Sequence, residues 1–443
     1  LAKRELGHST RFLYDHNMPA EVKDFLRSYL DLREEEMVDG GRYHNLKDLG
    51  SLPNPKKGGL AYTGWPAVPH PGFTTHRSVF SSIAEKEKLL HLPYHSYNYI
   101  LRFFNEAAID PAVKEIYVTL YRVAANSHIV NALISAARNG KKVTVFVELK
   151  ARFDEANNLQ WSKKMKAAGI KIISSIPGLK VHAKVALIKR WENLPAGKAG
   201  KQWQNYSFMA TGNFNEATGR FYTDHVLFTA NPEFSLELEW LFEYLQSRKQ
   251  PADYNKIPFK HLLVSQFNLI KRFNKLIDRE IENAQKGLPA EIIIKLNNLQ
   301  EKEMISRLYD ASRAGVKVKL IVRSICCLAA GVQGQSENIT VHRIVDRYLE
   351  HARVFVFHNN GNPEYYMGSA DWMNRNLHSR IEVVFPIYDE TLSSEINKVL
   401  QLQLEDNCKA VLVKDNLENQ RIAAAGKPKL AAQEAIYSYV KGL

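Results

Sequence analysis

Two short elements carry the residue types that handle phosphorus. His182-Ala-Lys184 and His351-Ala-Arg353 each place an imidazole two residues before a cation. An apolar run follows each, so each is expected at the start of a strand, where residues i and i+2 share a face and the histidine and its cation point the same way. A neutral imidazole is a good nucleophile toward phosphorus, and a second one can give or take a proton near neutral pH. Lys184 and Arg353 can hold non-bridging oxygens and oppose the charge that builds up in the transition state. One such pair alone reads more simply as a core histidine beside a solvated cation. Two at matching places make that the poorer reading. A metal-binding histidine pair is disfavoured, because carboxylates at ligand spacing are missing beside either imidazole.

Further cations stand where strands are expected to end. Arg122 closes Thr119-Leu-Tyr-Arg122, Arg152 lies in Glu148-Leu-Lys-Ala-Arg152, and Arg323 precedes Ser324-Ile-Cys-Cys327. Folds with parallel strands bind ligands at strand carboxyl ends, so these three arginines read as phosphate clamps. Gly212-Asn213-Phe214-Asn215 offers backbone N–H groups and the Asn213 and Asn215 amides to a phosphate or an imidazole. Tyr222 is an aromatic that could stack on a base, although a core tyrosine is the commoner role.

The elements that must position these residues are written twice. Val113 to Leu120 is rich in β-formers, Ser127 can cap a helix over 127–139 with apolar residues at 3.6 spacing, Gly140 ends it, and 143–149 is an almost wholly apolar strand. Glu115-Ile-Tyr-Val-Thr-Leu120 recurs as Glu291-Ile-Ile-Ile-Lys-Leu296, and Ile129, Val130, Leu133 and Ile134 recur as Met304, Ile305, Leu308 and Tyr309. Two copies are too few for a solenoid and suit a duplicated α/β domain, with covered, mostly parallel sheets. The expected boundaries are 81–250 and 257–443, with a polar linker around Arg248-Lys-Gln-Pro251 between them. Residues 1–80 read as a helical piece (a helix over 21–30) joined to a Gly- and Pro-rich connector.

Composition narrows the function classes. The chain has 443 residues, 45% of them hydrophobic and 24% charged, which excludes a disordered tail, a collagen and a coiled-coil rod. The net charge is +13, and residues 138–190 hold thirteen Lys/Arg against three acids. A focused surplus of this kind attracts polyanions. Three cysteines without CxxC spacing argue against a disulfide framework and a structural zinc site, and a reducing, cytoplasmic setting is expected. No apolar run has the ~18 residues of a membrane span, and the start has no secretory h-region. The missing initiator Met suggests a processed or truncated chain.

Paired H-x-K-like elements on a duplicated α/β domain are similar to the phospholipase D superfamily. The usual Asp of that motif falls at Lys189 and His358, however, and Asn213 replaces the Ser expected after Gly212, while Gly368-Ser369 keeps that pair. More closely, the chain resembles bacterial polyphosphate kinases of the first type. The matching stretches, in order over residues 80 to 405, include Thr119-Leu-Tyr-Arg122, Val145-Phe-Val-Glu-Leu-Lys-Ala-Arg-Phe-Asp-Glu155, Pro177-Gly-Leu-Lys-Val-His-Ala-Lys184, Thr211-Gly-Asn-Phe-Asn215, Tyr222-Thr-Asp224, Ile321-Val-Arg-Ser-Ile-Cys-Cys-Leu328, Tyr348-Leu-Glu-His-Ala-Arg353 and Gly368-Ser-Ala-Asp-Trp-Met-Asn-Arg-Asn376. His91-Leu-Pro-Tyr-His-Ser-Tyr97 departs from the usual His-His-Pro-Tyr-Asp-Ser-Phe.

The resemblance implies reversible transfer of the terminal phosphate of ATP to inorganic polyphosphate through a phosphohistidine on His182, with His351 as the second essential histidine. It assigns Arg122 and Arg152 to a phosphate and Mg²⁺ region, the ion being bridged by phosphate or water because a guanidinium cannot ligate a cation. It gives Tyr222, Arg323 and His351 to nucleotide and phosphate contacts. It further implies a homodimer or homotetramer, a cytoplasmic location with association at the periphery of the inner membrane, no specific nucleic-acid partner, and residues 1–80 as the end of a helical domain, without the family's N-terminal domain. Two alternatives stay open: a phospholipase D-like phosphodiesterase or nuclease acting through His182 without ATP, and a non-enzymatic polyanion-binding module whose histidines are structural.

Overall fold

The repeated pattern forms the same construction twice. In the first repeat Ser127 caps the helix His128–Arg138 by accepting from the Val130 amide, and Gly140, at φ +78°, lets the chain turn into the next strand. In the second, Glu301 caps Lys302–Arg313 through the Met304 amide and Gly315 takes the same role at φ +96°. The computed structural model describes residues 11–42, 49, 52–53, 60–148, 155–174, 176–193, 200–254, 256–422 and 426–443. The chain divides into two compact units, 1–64 and 65–443, and both repeats lie in the second. In the small unit, Phe12–Asp15 pairs in parallel with Met37–Gly40, and the expected helix is present as Ala20–Tyr29.

Within the large unit the first repeat lays Val113–Leu120, Lys142–Val147 and Lys171–Ile173 side by side in parallel, then adds Val185–Asn193, Lys201–Ala210 and Tyr222–Thr229 as antiparallel strands, with Lys88–Leu92 beyond them. The second repeat does the same. Glu291–Leu296, Lys317–Val322 and Ile339–Ile344 are parallel, whereas Arg353–Phe357, Glu364–Gly368 and Val383–Ile387 are antiparallel. The duplicated α/β class therefore stands, but the sheets are mixed rather than mostly parallel. Continuous apolar runs report burial on both faces and carry no information on strand sense.

That burial is visible residue by residue. Ala186 and Ile188 face the first repeat's own helices, while Val185 and Leu187 face an apolar core shared with the second repeat. In the second repeat Val354 and Val356 enter that shared core, and Phe355 and Phe357 pack with Phe273 and Trp372 on the far side. Each sheet thus has private helices on one face and the common core on the other.

Two short cross-connections tie the repeats together. Lys180–Val181 of the first pairs in parallel with Arg380–Ile381 of the second, and Leu349–Glu350 of the second pairs in parallel with Tyr222–Thr223 of the first. The two histidine elements follow directly on these crossings. His182-Ala-Lys184 occupies the gap between Lys180–Val181 and Val185–Asn193, and His351-Ala352 the gap between Leu349–Glu350 and Arg353–Phe357. The expectation that each histidine stands at the start of a strand is corrected to a place in the short gap just before one. A one-dimensional apolar pattern cannot show that a strand changes partner halfway.

Candidate active site

Each imidazole is held by a carboxylate from the opposite repeat. His182 Nδ1 lies 2.9 Å from Glu382 Oε2, and His351 Nδ1 lies 2.9 Å from both oxygens of Asp224. Those carboxylates are placed by the cross-connections: Asp224 follows Tyr222–Thr223, and Glu382 follows Arg380–Ile381. Backbone bonds fix the register, with the His182 amide donating to the Ile381 carbonyl at 2.9 Å and the Ala352 amide to the Thr223 carbonyl at 2.8 Å. A hydroxyl steadies each carboxylate in turn, Thr211 Oγ1 donating to Asp224 at 2.6 Å and Ser369 Oγ to Glu382. Asn376 Nδ2 adds a bond to the second Glu382 oxygen at 2.6 Å. Gly212 leaves room for this arrangement, because a Cβ there would sit 2.1 Å from Asp224 Oδ2.

With Nδ1 committed to a carboxylate, Nε2 is the ring nitrogen left for chemistry. Both rings line one cavity of about 620 Å³. Among the described residues its wall carries six further basic side chains, Arg122, Lys180, Arg323, Arg353, Arg375 and Arg380, and a single acid, Asp371. Arg353 neutralises that acid through Nη2 at 3.0 Å from Asp371 Oδ2. The cavity is therefore built for a polyanion. The Tyr121 ring meets His182 edge-on at 4.6 Å between centroids, and Tyr222 lies 5.0 Å from His351.

The titration of the two dyads differs. Burial, aided by Lys184, Arg380 and Arg353, holds His182 well below the usual imidazole range, so the ring is neutral. Burial also lifts Glu382 above the ordinary carboxylate range, against the pull of Lys184 and Arg380. In the other dyad burial lowers His351 despite the neighbouring Asp224. Burial works on Asp224 in the opposite sense from the net result: His351, Thr211 and Arg353 outweigh it and leave the carboxyl below its ordinary value. The free lone pairs differ too. Arg353 Nη1 is 3.2 Å from His351 Nε2, whereas among the described residues His182 Nε2 has no hydrogen-bond partner.

Of the residues singled out in the sequence, His182, His351, Arg122, Asn213, Tyr222, Arg323 and Arg353 converge on this cavity. Two do not line it. Lys184 is buried and its ammonium turns back onto the His182 carbonyl, and Asn215 caps the turn that follows it, accepting from the Ala217 and Thr218 amides. Sequence spacing that puts a side chain on the face of His182 does not guarantee that it reaches the cavity, and Lys184 is spent on the neighbouring backbone. Arg152 lies outside the described residues. Sequence reasoning missed Glu382, Asp224 as a partner of His351, and the cations Lys180, Arg375 and Arg380. A signal existed: Tyr222-Thr-Asp224 and Arg380-Ile-Glu382 occupy equivalent places in the two repeats, each with an acid as third residue. Among the described residues no cluster of three or more His, Cys, Asp or Glu could hold a metal ion, and no helix is long and apolar enough to cross a membrane.

Comparison with known proteins places this geometry. The family models described as polyphosphate kinase C-terminal domain 1 and C-terminal domain 2 match residues 78–251 and 262–433. Polyphosphate kinase of Salmonella typhimurium is 42% identical over 446 residues, covering 100% of this chain and 63% of the relative. The Vibrio vulnificus protein of the same name is 40% identical over 444 residues, covering 100% of this chain and 62% of the relative. The chain thus spans rather less than two thirds of the length of the curated relatives it matches. Among solved structures, polyphosphate kinase from Porphyromonas gingivalis aligns with a TM-score of 0.85 at 45% identity, over 98% of this chain and 64% of that one. A phosphatidylserine synthase from Haemophilus influenzae aligns at 0.52 and 12% identity, over 81% of this chain and 92% of that one, a likeness of fold alone.

Proposed function

The chain belongs to the polyphosphate kinase family, and from that premise we propose that its two repeats carry the phosphotransfer site for moving the terminal phosphate of ATP to polyphosphate and back through a phosphohistidine on His182. The observation that carries this reading is the pair of imidazoles in one cation-lined cavity, each with Nδ1 on a carboxylate of the opposite repeat. The neutral His182 attacks the γ-phosphorus through Nε2. An N–P bond forms, the bond from phosphorus to the β,γ-bridging oxygen breaks, and ADP leaves with that electron pair. In the second half the terminal oxygen of a polyphosphate chain attacks the same phosphorus, the N–P bond breaks, and its electrons return to Nε2.

His182 suits the nucleophile because its lone pair is free while that of His351 faces Arg353. Glu382 fixes the tautomer with the proton on Nδ1, as an orienting carboxylate does in hydrolytic triads. His351, backed by Asp224, is the group to give or take a proton at the leaving or attacking phosphate. Phosphoryl transfer asks mainly for positioning and charge neutralisation, which Arg122, Arg323, Arg353, Arg375 and Arg380 provide. Mg²⁺ belongs to this reading as the ion carried by the nucleotide phosphates, near Arg122 and Arg152.

The test is incubation of the full-length protein with γ-labelled ATP. Acid-labile, base-stable label is expected on the wild type and none on His182→Ala. Label surviving in His182→Ala would refute the assignment. Diester cleavage without ATP would favour a phosphodiesterase, and polyanion binding unaltered in His182→Ala and His351→Ala, with no label on the wild type, a binding module.

A further inference from the structure

Behind His351, on the opposite side of its strand from the cavity, lies a carboxylate that the reaction does not use. Glu350 is 2% exposed and receives hydrogen bonds from four side chains. Thr223 Oγ1 of the first repeat lies 2.9 Å from Oε2, Gln403 Nε2 of the helix Glu390–Leu404 lies 2.8 Å from the same oxygen, and the Lys295 ammonium also reaches it. Gln433 Nε2, on the C-terminal helix Ala432–Lys441, lies 2.7 Å from Oε1. Gln433 additionally brackets the backbone just upstream, accepting from the Tyr348 amide and donating to the Tyr348 carbonyl, both at 2.9 Å. Thr223 is the residue before Asp224, so the elements that meet at Glu350 also carry the His351–Asp224 dyad. The equivalent place before His182 holds Val181, an apolar member of the shared core.

We propose that Glu350 is a positioning residue for His351, and that Gln433 makes the C-terminal helix part of the phosphotransfer apparatus by completing the bonds that lock the His351 segment onto the first repeat. Apolar packing tolerates small slides, whereas a buried carboxylate must find all its donors at once, so its register is set in an all-or-none way. Lys295 balances the charge, and the three neutral donors decide where the carboxylate, and with it the backbone of His351, comes to rest. Burial pushes Glu350 up in pKa, but Lys295, Gln433 and Thr223 outweigh it and keep the group ionised. A lost donor leaves a buried carboxylate oxygen unsatisfied, which the segment can relieve only by moving.

The role rests on the phosphotransfer reading, and its test keeps the two separate. In the full-length protein, Glu350→Gln and Gln433→Ala are compared with wild type by steady-state kinetics and by the downfield proton resonance of the His351–Asp224 hydrogen bond, assigned through its loss in His351→Gln. Each variant is expected to lower kcat at least tenfold with KM for ATP within threefold, and to shift or broaden that resonance. The exchanged pair Glu350→Gln with Gln433→Glu restores the bond between the two side chains but not the one to the Tyr348 carbonyl, and is expected to recover both in part, above either single variant. Unchanged rates and resonance would overturn the proposal. So would activity lost only in proportion to unfolded protein, with the resonance intact in the folded remainder. Should the wild type transfer no phosphate, the functional reading fails and the resonance alone decides the positioning role.

Discussion

In the first repeat the segment leading to His182 ends in Val181, packed among the apolar side chains between the sheets, and the histidine's carboxylate, Glu382, is raised in pKa by burial. In the second repeat the same place is taken by Glu350 with its four donors, and the histidine's carboxylate, Asp224, is lowered. The lone pair of His182 is free, while that of His351 faces a guanidinium. Duplication supplied two equivalent imidazole–carboxylate pairs in different surroundings. In the phosphotransfer reading proposed above, one pair presents the neutral nucleophile. The other, with its free nitrogen against Arg353, suits proton transfer. Environment rather than residue type separates the roles, as it does for paired carboxylates in other enzymes.

The sharpest way to break this comparison is to remove each orienting carboxylate in turn. Glu382→Gln and Asp224→Asn are each expected to slow phosphate transfer by ~10²–10⁴-fold, the range for losing a tautomer-fixing acid. Rapid-quench labelling measures this. If Glu382→Gln labels at the wild-type rate, the dyad has no part in activating His182.

The glycines beside the two hydroxyl residues, Gly212 after Thr211 and Gly368 before Ser369, give a finer contrast. Gly212→Ala drives a methyl into the Asp224 carboxylate, so a loss of about 10²-fold in rate is expected from a displaced His351 partner. A Cβ on Gly368 instead meets the Val383 carbonyl at 2.3 Å, a backbone obstacle in the sheet. Gly368→Ala should therefore cost stability, on the order of 3 kcal/mol by denaturant titration. Equal stability losses in the two variants, with no difference in rate per folded molecule, would erase the distinction.

The reach of the sequence can be judged against these sites. Repeat arithmetic located one helix with the strands on either side of it in each repeat, and both histidines, because those signals are local and periodic. Strand sense was not legible, since an apolar run looks the same in either direction. Glu382 was out of reach for a different reason. It lies 200 residues from His182 in sequence, and only the exchange of short strands between repeats brings them together. Lys184 was legible as a neighbour of His182 but not in its direction, since its ammonium turns back onto the His182 carbonyl.

A smaller effect comes from acid. Burial holds His70 down to about 4 and His95 to about 2, and His225, His182 and His351 are lowered as well. The unfolded chain protonates these groups near 6.5, so below that pH it binds more protons than the folded one and stability falls as pH drops. Each histidine contributes up to ~1.4 kcal/mol per pH unit below 6.5 until its folded value is reached. Calorimetry between pH 7.5 and 5 should show a falling Tm, with a smaller fall in His95→Asn. A Tm that rises on acidification would contradict the buried neutral state.

The isomer of the phosphohistidine tests the central geometry most directly. After brief exposure of the full-length protein to γ-labelled ATP, the phosphorylated imidazole can be isolated under base and identified as the Nε2 or the Nδ1 adduct. The expected result is Nε2-phosphohistidine at His182, since Nδ1 is held by Glu382 from the other repeat. An Nδ1 adduct, or a phosphorylated residue elsewhere in the chain, would contradict it.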